Sequence, residues 1–432
     1  MVEKESDFCR KASFIKPSGT QNDSCLSGKT TVEVEVYNSF DQVEPMQSEW
    51  DEFVESLGCE VSLTYDWCRL WWKYYGYGCK LRIFVFRCHG TLTGIIPVFF
   101  EKIWFFPVFI RAVKIVGTDF TLSTVTPPMR KEFAQEIVKK LFDILSRDYR
   151  WDVLHLGPIS GIFADFENLF RLCQKCLTRI CKVVKNSKTV QTYFTLANCW
   201  EEQIASLPKK KQRDLRRKYR LLYETIANED AHIVLQFAST ADFQLIFDEF
   251  VRMHQNHWEG LGKPGHFGAF PNSEVFHREL AQEQLKHGRL RLLKVRADSH
   301  ILGYKYAYKF GDRYLEFLDA RSDTRELAQA SPGEIVFCEQ MKKAIGEKVR
   351  CIDSMRGKYE YKLQMGGKLF PINNIFVYSG TLWPLIRMRI FCGLSWMLHM
   401  CYYNIWWRRI APKLPFRRRA LWKIWLRSNM FA

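Results

Sequence analysis

The feature that most limits the fold is a repeat. "LRIFVFRCHGTLTG" at 81–94 returns as "LRLLKVRADSHILG" at 290–303, an offset of 209 residues with four identities in 14 positions. Both segments open Leu-Arg, carry Arg at the seventh position and end on Gly. The surroundings repeat in the same order. A helical stretch precedes each copy ("FDQVEPMQSEWDEFVESL" and "ADFQLIFDEFVRMHQNHW"), and strand-like runs follow it ("GIIPVFF" and "RAVKIVG", then "GYKYAYKF" and "RYLEFLD"). Each half then has a loop, a helix ("KEFAQEIVKKLFDILS" against "GEIVFCEQMKKAIGE") and a closing strand ("WDVLHLG" against "VRCIDSM"). The strands are read from β-branched and aromatic runs between turn residues, the helices from apolar spacing of three and four. The pattern predicts two α+β modules, 31–200 and 231–380, a basic helical linker at 201–230 and a tail at 381–432.

The halves differ at one informative place. Before its second helix the first module has "TVTPPMRKE", with two prolines and no glycine, whereas the second has "QASPGE" at 329–334. Ser331 suits an N-cap, Pro332 the first helical position, and Glu334 would complete a capping box. Gly333 opens a second reading. Without a Cβ, it lets a ligand reach backbone N–H groups at the positive end of a helix. Glu334 would compete for those same N–H groups. A phosphate-bearing ligand, if one module binds it, is expected in the second.

Charge points to anionic partners. The formal net charge is +17, which suits phosphates, nucleic acid or a lipid surface. "LPKKKQRDLRRKYRLLYETIA" (207–227) holds eight Lys or Arg within 209–220, with Leu215, Tyr219, Leu222 and Ile226 as an apolar stripe. It reads either as a solvated helix docked by that stripe or as a cradle for a phosphate-rich substrate. From residue 380 onward there is no Asp or Glu, but there are Arg387, Arg389, Arg408, Arg409, Lys413, Arg417, Arg418, Arg419, Lys423 and Arg427. The same tail carries Trp383, Trp396, Trp406, Trp407, Trp422 and Trp425. Such a mixture suits the headgroup zone of an anionic leaflet. The uncharged run "IFCGLSWMLHMCYYNIWW" has 18 residues, the lower limit for a span. Docking of the tail on the protein's own domains is the third reading.

The first 30 residues are polar, lack an apolar signal-peptide region and are expected to be disordered. The 14 scattered cysteines fit a reduced cytoplasmic protein. Cys173, Cys176 and Cys181 lack the second ligand pair of a structural zinc site, so no metal is expected.

A family resemblance enters at "SPGEIVFCEQMKKAIGEKVRCIDSMRGKYEYKLQMGG" (331–367), a Ser-Pro-Gly helix start, a strand ending in Asp, an Arg-Gly, then Tyr-Lys and Gly. It resembles the acetyltransferase domain of CelD-like (BioF2-like) proteins, in the GNAT N-acetyltransferase superfamily, and is similar to Fem-type peptidyl transferases. "SEWDEFVES", "LTYDWCRLWWKYYG", "LPKKKQRDLRRKYRLL" and "MHQNHWEGLGKPGHF" extend it over roughly 40–375. The resemblance implies two tandem GNAT-like modules, each a mixed sheet flanked by helices, followed by the basic, Trp-rich tail.

It also implies acyl transfer from acetyl-CoA or another acyl-CoA to an amino group of a small molecule or glycan precursor, in polysaccharide or cell-envelope synthesis. Ser331, Gly333 and Arg356 are then the cofactor-binding residues, and Tyr361, Asp353 and Lys362 the catalytic ones. Tyr361 would protonate the leaving thiolate, and Lys362 would stabilise an oxyanion or bind phosphate. Each residue keeps a plainer reading, as packed aromatic, turn cap or exposed lysine. In "HQNHW", His254 and His257 share a helix face, and His254 is either a general base or a half-buried histidine. Two further functions remain open. One is a Fem-like transferase using aminoacyl-tRNA, although 228–380 has no room for the helical hairpin usual in Fem proteins. The other is a non-catalytic scaffold at the inner face of the membrane.

Overall fold

The computed structural model of the chain describes residues 31–414, apart from 106–107, 122, 164, 178–180 and 227–231. The expected disorder of residues 1–30, and tail residues such as Arg417, Trp422 and Arg427, lie outside the described residues. From Val32 onward the described residues form one compact unit.

The first half supplies strands β1 (Glu33–Tyr37), β2 (Lys80–Cys88), β3 (Thr91–Phe105), β4 (Val108–Ile115), β5 (Val153–Ser160) and β6 (Cys181–Thr195). The second supplies β7 (Ile233–Phe237), β8 (Leu290–Ala297), β9 (His300–Phe310), β10 (Arg313–Arg321), β11 (Cys351–Arg356) and β12 (Lys368–Ser379). Helices α1 (Gln47–Ser56), α2 (Tyr65–Tyr75), α3 (Ala134–Asp148) and α4 (Phe166–Leu177) belong to the first half. Between the halves come α5 (Trp200–Ala205) and the basic α6 (Lys209–Ile226). The second half adds α7 (Phe243–Gly260), α8 (Gly265–Ala269), α9 (Ser273–Lys286), α10 (Pro332–Gly346) and α11 (Glu360–Gln364), and the tail begins with α12 (Leu382–Leu398).

All the strands join one sheet, in the order β1-β2-β3-β4-β5-β12-β6-β11-β10-β9-β8-β7. From either edge the order reads the same: five strands of one module, then the sixth strand of the other. β12 pairs with β5 and β6, and β6 pairs with β11. The expected boundaries at 200 and 380 fall just after β6 and β12 along the chain; in space the two modules exchange these strands. Periodicity shows which face of a strand is buried, not which strand it pairs with.

Two pairings are parallel, at equivalent places. Ala112–Lys114 of β4 lie beside Val153–His155 of β5, and Arg313–Leu315 of β10 beside Cys351–Asp353 of β11. A parallel pair needs a crossover connection, which α3 and α10 supply. After three residues each pair separates, so each module has a fork facing the loop that leads into its crossover helix.

The halves share a core. Trp67 of α2 is fully buried, with its ring centroid 5.2 Å from Tyr308 and 6.1 Å from Phe317. Arg289 pairs with Asp51 at 2.8 Å across the same boundary. The tail helix α12 buries Pro384, Met388, Phe391 and Ser395, and Met388 and Phe391 join Ile103 and Ile110 of the first half and Phe376 of β12. No helix among the described residues is long and apolar enough to cross a membrane.

Candidate active site

The two forks differ in what fills them. In the first module the loop after β4 is buried from Ser123 to Thr126. Val125 donates its N–H to the Pro158 carbonyl of β5 at 2.6 Å. Ser62 Oγ donates to the Thr124 carbonyl at 2.8 Å, and Thr126 N–H donates to Glu60 Oε2 at 2.9 Å. The module's own chain thus closes that fork. In the second module the corresponding loop, Asp323–Glu326, is exposed.

The start of α10 lies at this second loop. Ser331 is its N-cap residue, but at φ 52° and ψ 65° it makes no side-chain capping bond. The expected capping box is therefore corrected. Glu334 turns away from the cap and pairs with Lys211 at 2.6 Å and Lys218 at 2.7 Å, both buried on α6. Two cations on one carboxylate win over a single backbone N–H, and the expected competition at the helix start is removed. The N–H of Gly333 has no acceptor among the described residues. A Cβ at Gly333 would lie 3.2 Å from Arg321 Cδ, so an arginine at the end of β10 flanks the free N–H.

α6 is docked by its apolar stripe and leaves a basic face open. Leu215, Leu222, Lys211 and Lys218 face inward, while Lys209, Lys210, Arg213, Arg216, Arg217 and Arg220 form an exposed face at helical spacing. Arg217 and Arg220 have partners in Asp214 and Glu224.

Deeper in the fork, β9, β10 and β11 each add a polar group. Lys305 of β9 is 2% exposed and pairs with the buried Glu316 of β10. Ser354 Oγ of β11 donates to the other oxygen of Glu316 at 2.5 Å. Burial works against the charge of Lys305, but Glu316 and Asp319 outweigh it and hold its pKa above the ordinary lysine value. β10 bulges between Glu316 and Leu318. The extra residue lets Phe317 join the aromatic core, 4.8 Å from the His277 ring, while Glu316 keeps its place beside Lys305.

Four of the residues expected from sequence line or adjoin this fork. Lys362, on α11, is buried and donates to the Ser354 carbonyl at 2.6 Å. The exposed-lysine reading is thus overturned, because the turn at Gly357 folds α11 back over β11. Burial pulls its pKa below the ordinary lysine value, against the opposing pull of Glu316. Tyr361 is exposed at its outer side, with 38% of its surface open, but its ring stands beside the same charges, and burial around it raises its pKa. Asp353 accepts the Met355 N–H at 2.9 Å, and burial pushes its carboxyl up to about 6. Gly333 lies at the outer end.

Arg356 does not join Ser331 and Gly333. It faces the first module, where Asp119 is the charge acting on it, and burial lowers its pKa to about 10. The expectation rested on the family resemblance, and β11 bulges between Asp353 and Arg356, which interrupts the strand's alternation ahead of the arginine. His254 is not available as a base. Its Nδ1 donates to the Asp319 carbonyl at 2.7 Å, its Nε2 accepts the His266 N–H at 3.4 Å, and burial lowers its pKa. Among the described residues no cluster of His, Cys, Asp or Glu is built to hold a metal. Cys173 is buried, and the side chain of Cys181 lies outside the described residues.

Lys305, Glu316, Asp319, Arg321 and Ser354 were missed. A signal for two of them is present. "YKYAY" and "YLEFL" are core-strand patterns with one charge each, and a charge in a core strand is rare unless paired.

Residues 209–363 match the family model described as acetyltransferase (GNAT) domain. That span takes in α6, both arms of the second fork, the start of α10 and Lys362. The crystal structure of FemX is similar at TM-score 0.55 and 11% identity, covering 82% of this chain and 99% of that one. A conserved protein of unknown function from Bacteroides thetaiotaomicron VPI-5482 aligns at TM-score 0.45 and 10% identity, over 80% of this chain and 100% of that one. L-PGS from Bacillus licheniformis aligns at TM-score 0.43 and 10% identity, over 79% of this chain and 95% of that one. No curated protein matches the sequence. The architecture is α+β, with two GNAT-like modules.

Proposed function

We propose that the chain is an N-acyltransferase that moves an acyl group from acyl-CoA, acetyl-CoA in the simplest case, to an amino group. The observation that carries this reading is the asymmetry of the forks: one is closed by its own loop, and the other ends at a helix start with a free N–H and an arginine. On this reading Gly333 N–H, the Ser331 turn and Arg321 take the pyrophosphate. From Arg321 inward to Glu316, β10 spans about 16 Å at roughly 3.3 Å per residue, so an extended arm can carry the thioester to Lys362 and Tyr361.

The roles follow from the proton each group holds. Lys362, with its lowered pKa, has a neutral fraction that accepts a proton from the acceptor amine. The amine nitrogen attacks the thioester carbonyl carbon, a C–N bond forms, and the carbonyl oxygen takes the negative charge. When the C–S bond breaks, Tyr361, still protonated, gives its proton to the leaving sulfur. Solvent then returns a proton from Lys362 to Tyr361. Lys305 and Glu316 hold β9, β10 and β11 in register around this point and touch neither reactant. Asp353 adds a second carboxyl at the edge of the site. The acceptor on this reading is a glycan precursor or another amino-bearing small molecule of polysaccharide or cell-envelope synthesis. The chain works in the cytoplasm, held at the inner face of the membrane by its tail.

A second reading is favoured by the six exposed cations of α6: a donor carried on tRNA. Retention of labelled tRNA that falls steeply with salt would favour it.

The test is Gly333. As a mere helix residue, Gly333→Ala would be neutral or stabilise by up to about 1 kcal/mol, since only the flexible Arg321 side chain must give way. Gly333→Val should stay folded and bind acetyl-CoA at least about tenfold more weakly, equivalent to about 1.4 kcal/mol. Unchanged affinity in a folded Val variant would leave that turn a helix start and nothing more.

A further inference from the structure

α12 is apolar on two sides. One side, Pro384, Met388, Phe391 and Ser395, is buried. The opposite side carries Trp383 at 72% exposure, Trp396 at 61%, and Leu382, Ile390 and Met397, all exposed. A helix that is apolar all round is normally buried all round, and an uncovered apolar stripe marks an interaction surface. The charges around it have one sign. Arg389 lies on the exposed side, and the wider π-helical continuation (His399–Ile410) adds exposed Trp406, Arg408 and Arg409. No Asp or Glu occurs after residue 380. A second tryptophan–cation cluster sits beside the helix. Trp104, at the end of the β3–β4 hairpin, is 56% exposed with Lys102 Nζ 4.3 Å over its ring. The Arg387 guanidinium, 5.4 Å over Phe109, ties that hairpin to α12.

We infer that the exposed face of α12, flanked by the Trp104 end of the β3–β4 hairpin, is the docking surface for an anionic lipid bilayer. Tryptophan and arginine together favour the headgroup zone, where the ring is half-buried and the cation meets lipid phosphate. A second copy of the chain suits the face poorly. A two-fold contact would set Arg389, Arg408 and Arg409 against the same cations, with no carboxylate to pair them. The helix lies on the bilayer and does not cross it. This inference rests on the membrane location proposed above and names the residues that make the contact.

The test is flotation of the full chain with vesicles of phosphatidylcholine alone and of phosphatidylcholine mixed with phosphatidylglycerol. The wild type is expected to float with the mixed vesicles and not with phosphatidylcholine alone. The triple variant Trp383→Gln/Ile390→Gln/Trp396→Gln changes exposed positions only, so its melting temperature should hold while its vesicle affinity falls at least about tenfold. If the folded triple variant floats as the wild type does, the α12 face is not the docking surface, and the location survives through the residues beyond 414. If the wild type floats with neither vesicle, both the inference and the location fall. A wild-type dimer that the triple variant dissolves, with flotation unchanged, would assign the face to a second copy and overturn the inference.

Discussion

Lys305→Met should destabilise the folded chain by about 3–5 kcal/mol, the range for breaking a buried ion pair from one side. Glu316 would be left charged with the Ser354 hydroxyl as its remaining hydrogen-bond donor among the described residues. Lys305 is packed under α10, 4.9 Å over the Phe337 ring, so water has little room to replace its ammonium group. One consequence separates this reading from a simple loss of packing. The double variant Lys305→Met/Glu316→Gln should recover most of the loss, since removing both charges leaves no unpaired ion. Urea denaturation of the three proteins measures it. A single variant that loses less than about 1 kcal/mol, or a double variant no better than the single one, would mean that the pair does not hold the strands as argued.

Lys362→Met is expected to lower acyl transfer at least about a hundredfold, the lower end for loss of a positioned acid or base. Acyl-CoA affinity should change little, because the phosphate end of the fork lies at Arg321 and Gly333. The pH profile gives the sign. Only the neutral amine accepts a proton, so activity should rise with pH through the lowered Lys362 pKa and fall away below it. That limb should vanish in the Met variant. Lys362→Arg distinguishes a base from a fixed positive charge: arginine keeps the charge and cannot give up its proton at these pH values. An active Arg variant would make Lys362 an electrostatic group for the oxyanion. Full activity in the Met variant, with the same pH limb, would remove it from the chemistry.

Much of the fold could be read from residues. The repeat at 209 residues located β2 with β8 and β3 with β9, because in each half alternating apolar residues run between turn signals. The crossover helices were legible from apolar spacing for the same reason. The exchange of β6 and β12 was not, because pairing partners depend on contacts far apart in sequence. At the site, Gly333 and Ser331 stood out because a Ser-Pro-Gly helix start has a distinct backbone chemistry, and Tyr361 and Lys362 through the family resemblance. Lys305 and Glu316 lay hidden inside strands that read as core, and their pairing needs β9 beside β10 and a bulge that no local rule announces. Arg356 and His254 show the converse. Each has the right chemistry, but a bulge turns the first toward the other module and two backbone groups occupy the ring of the second.

If one fork of the pair takes the donor and the other is closed, calorimetric titration of acetyl-CoA into the full chain should saturate at one acetyl-CoA per chain in the wild type, with the binding heat strongly reduced in folded Gly333→Val. Two acetyl-CoA per chain would contradict the closure of the first fork by the loop from Ser123 to Thr126, and no binding at all would contradict acyl-CoA as the donor.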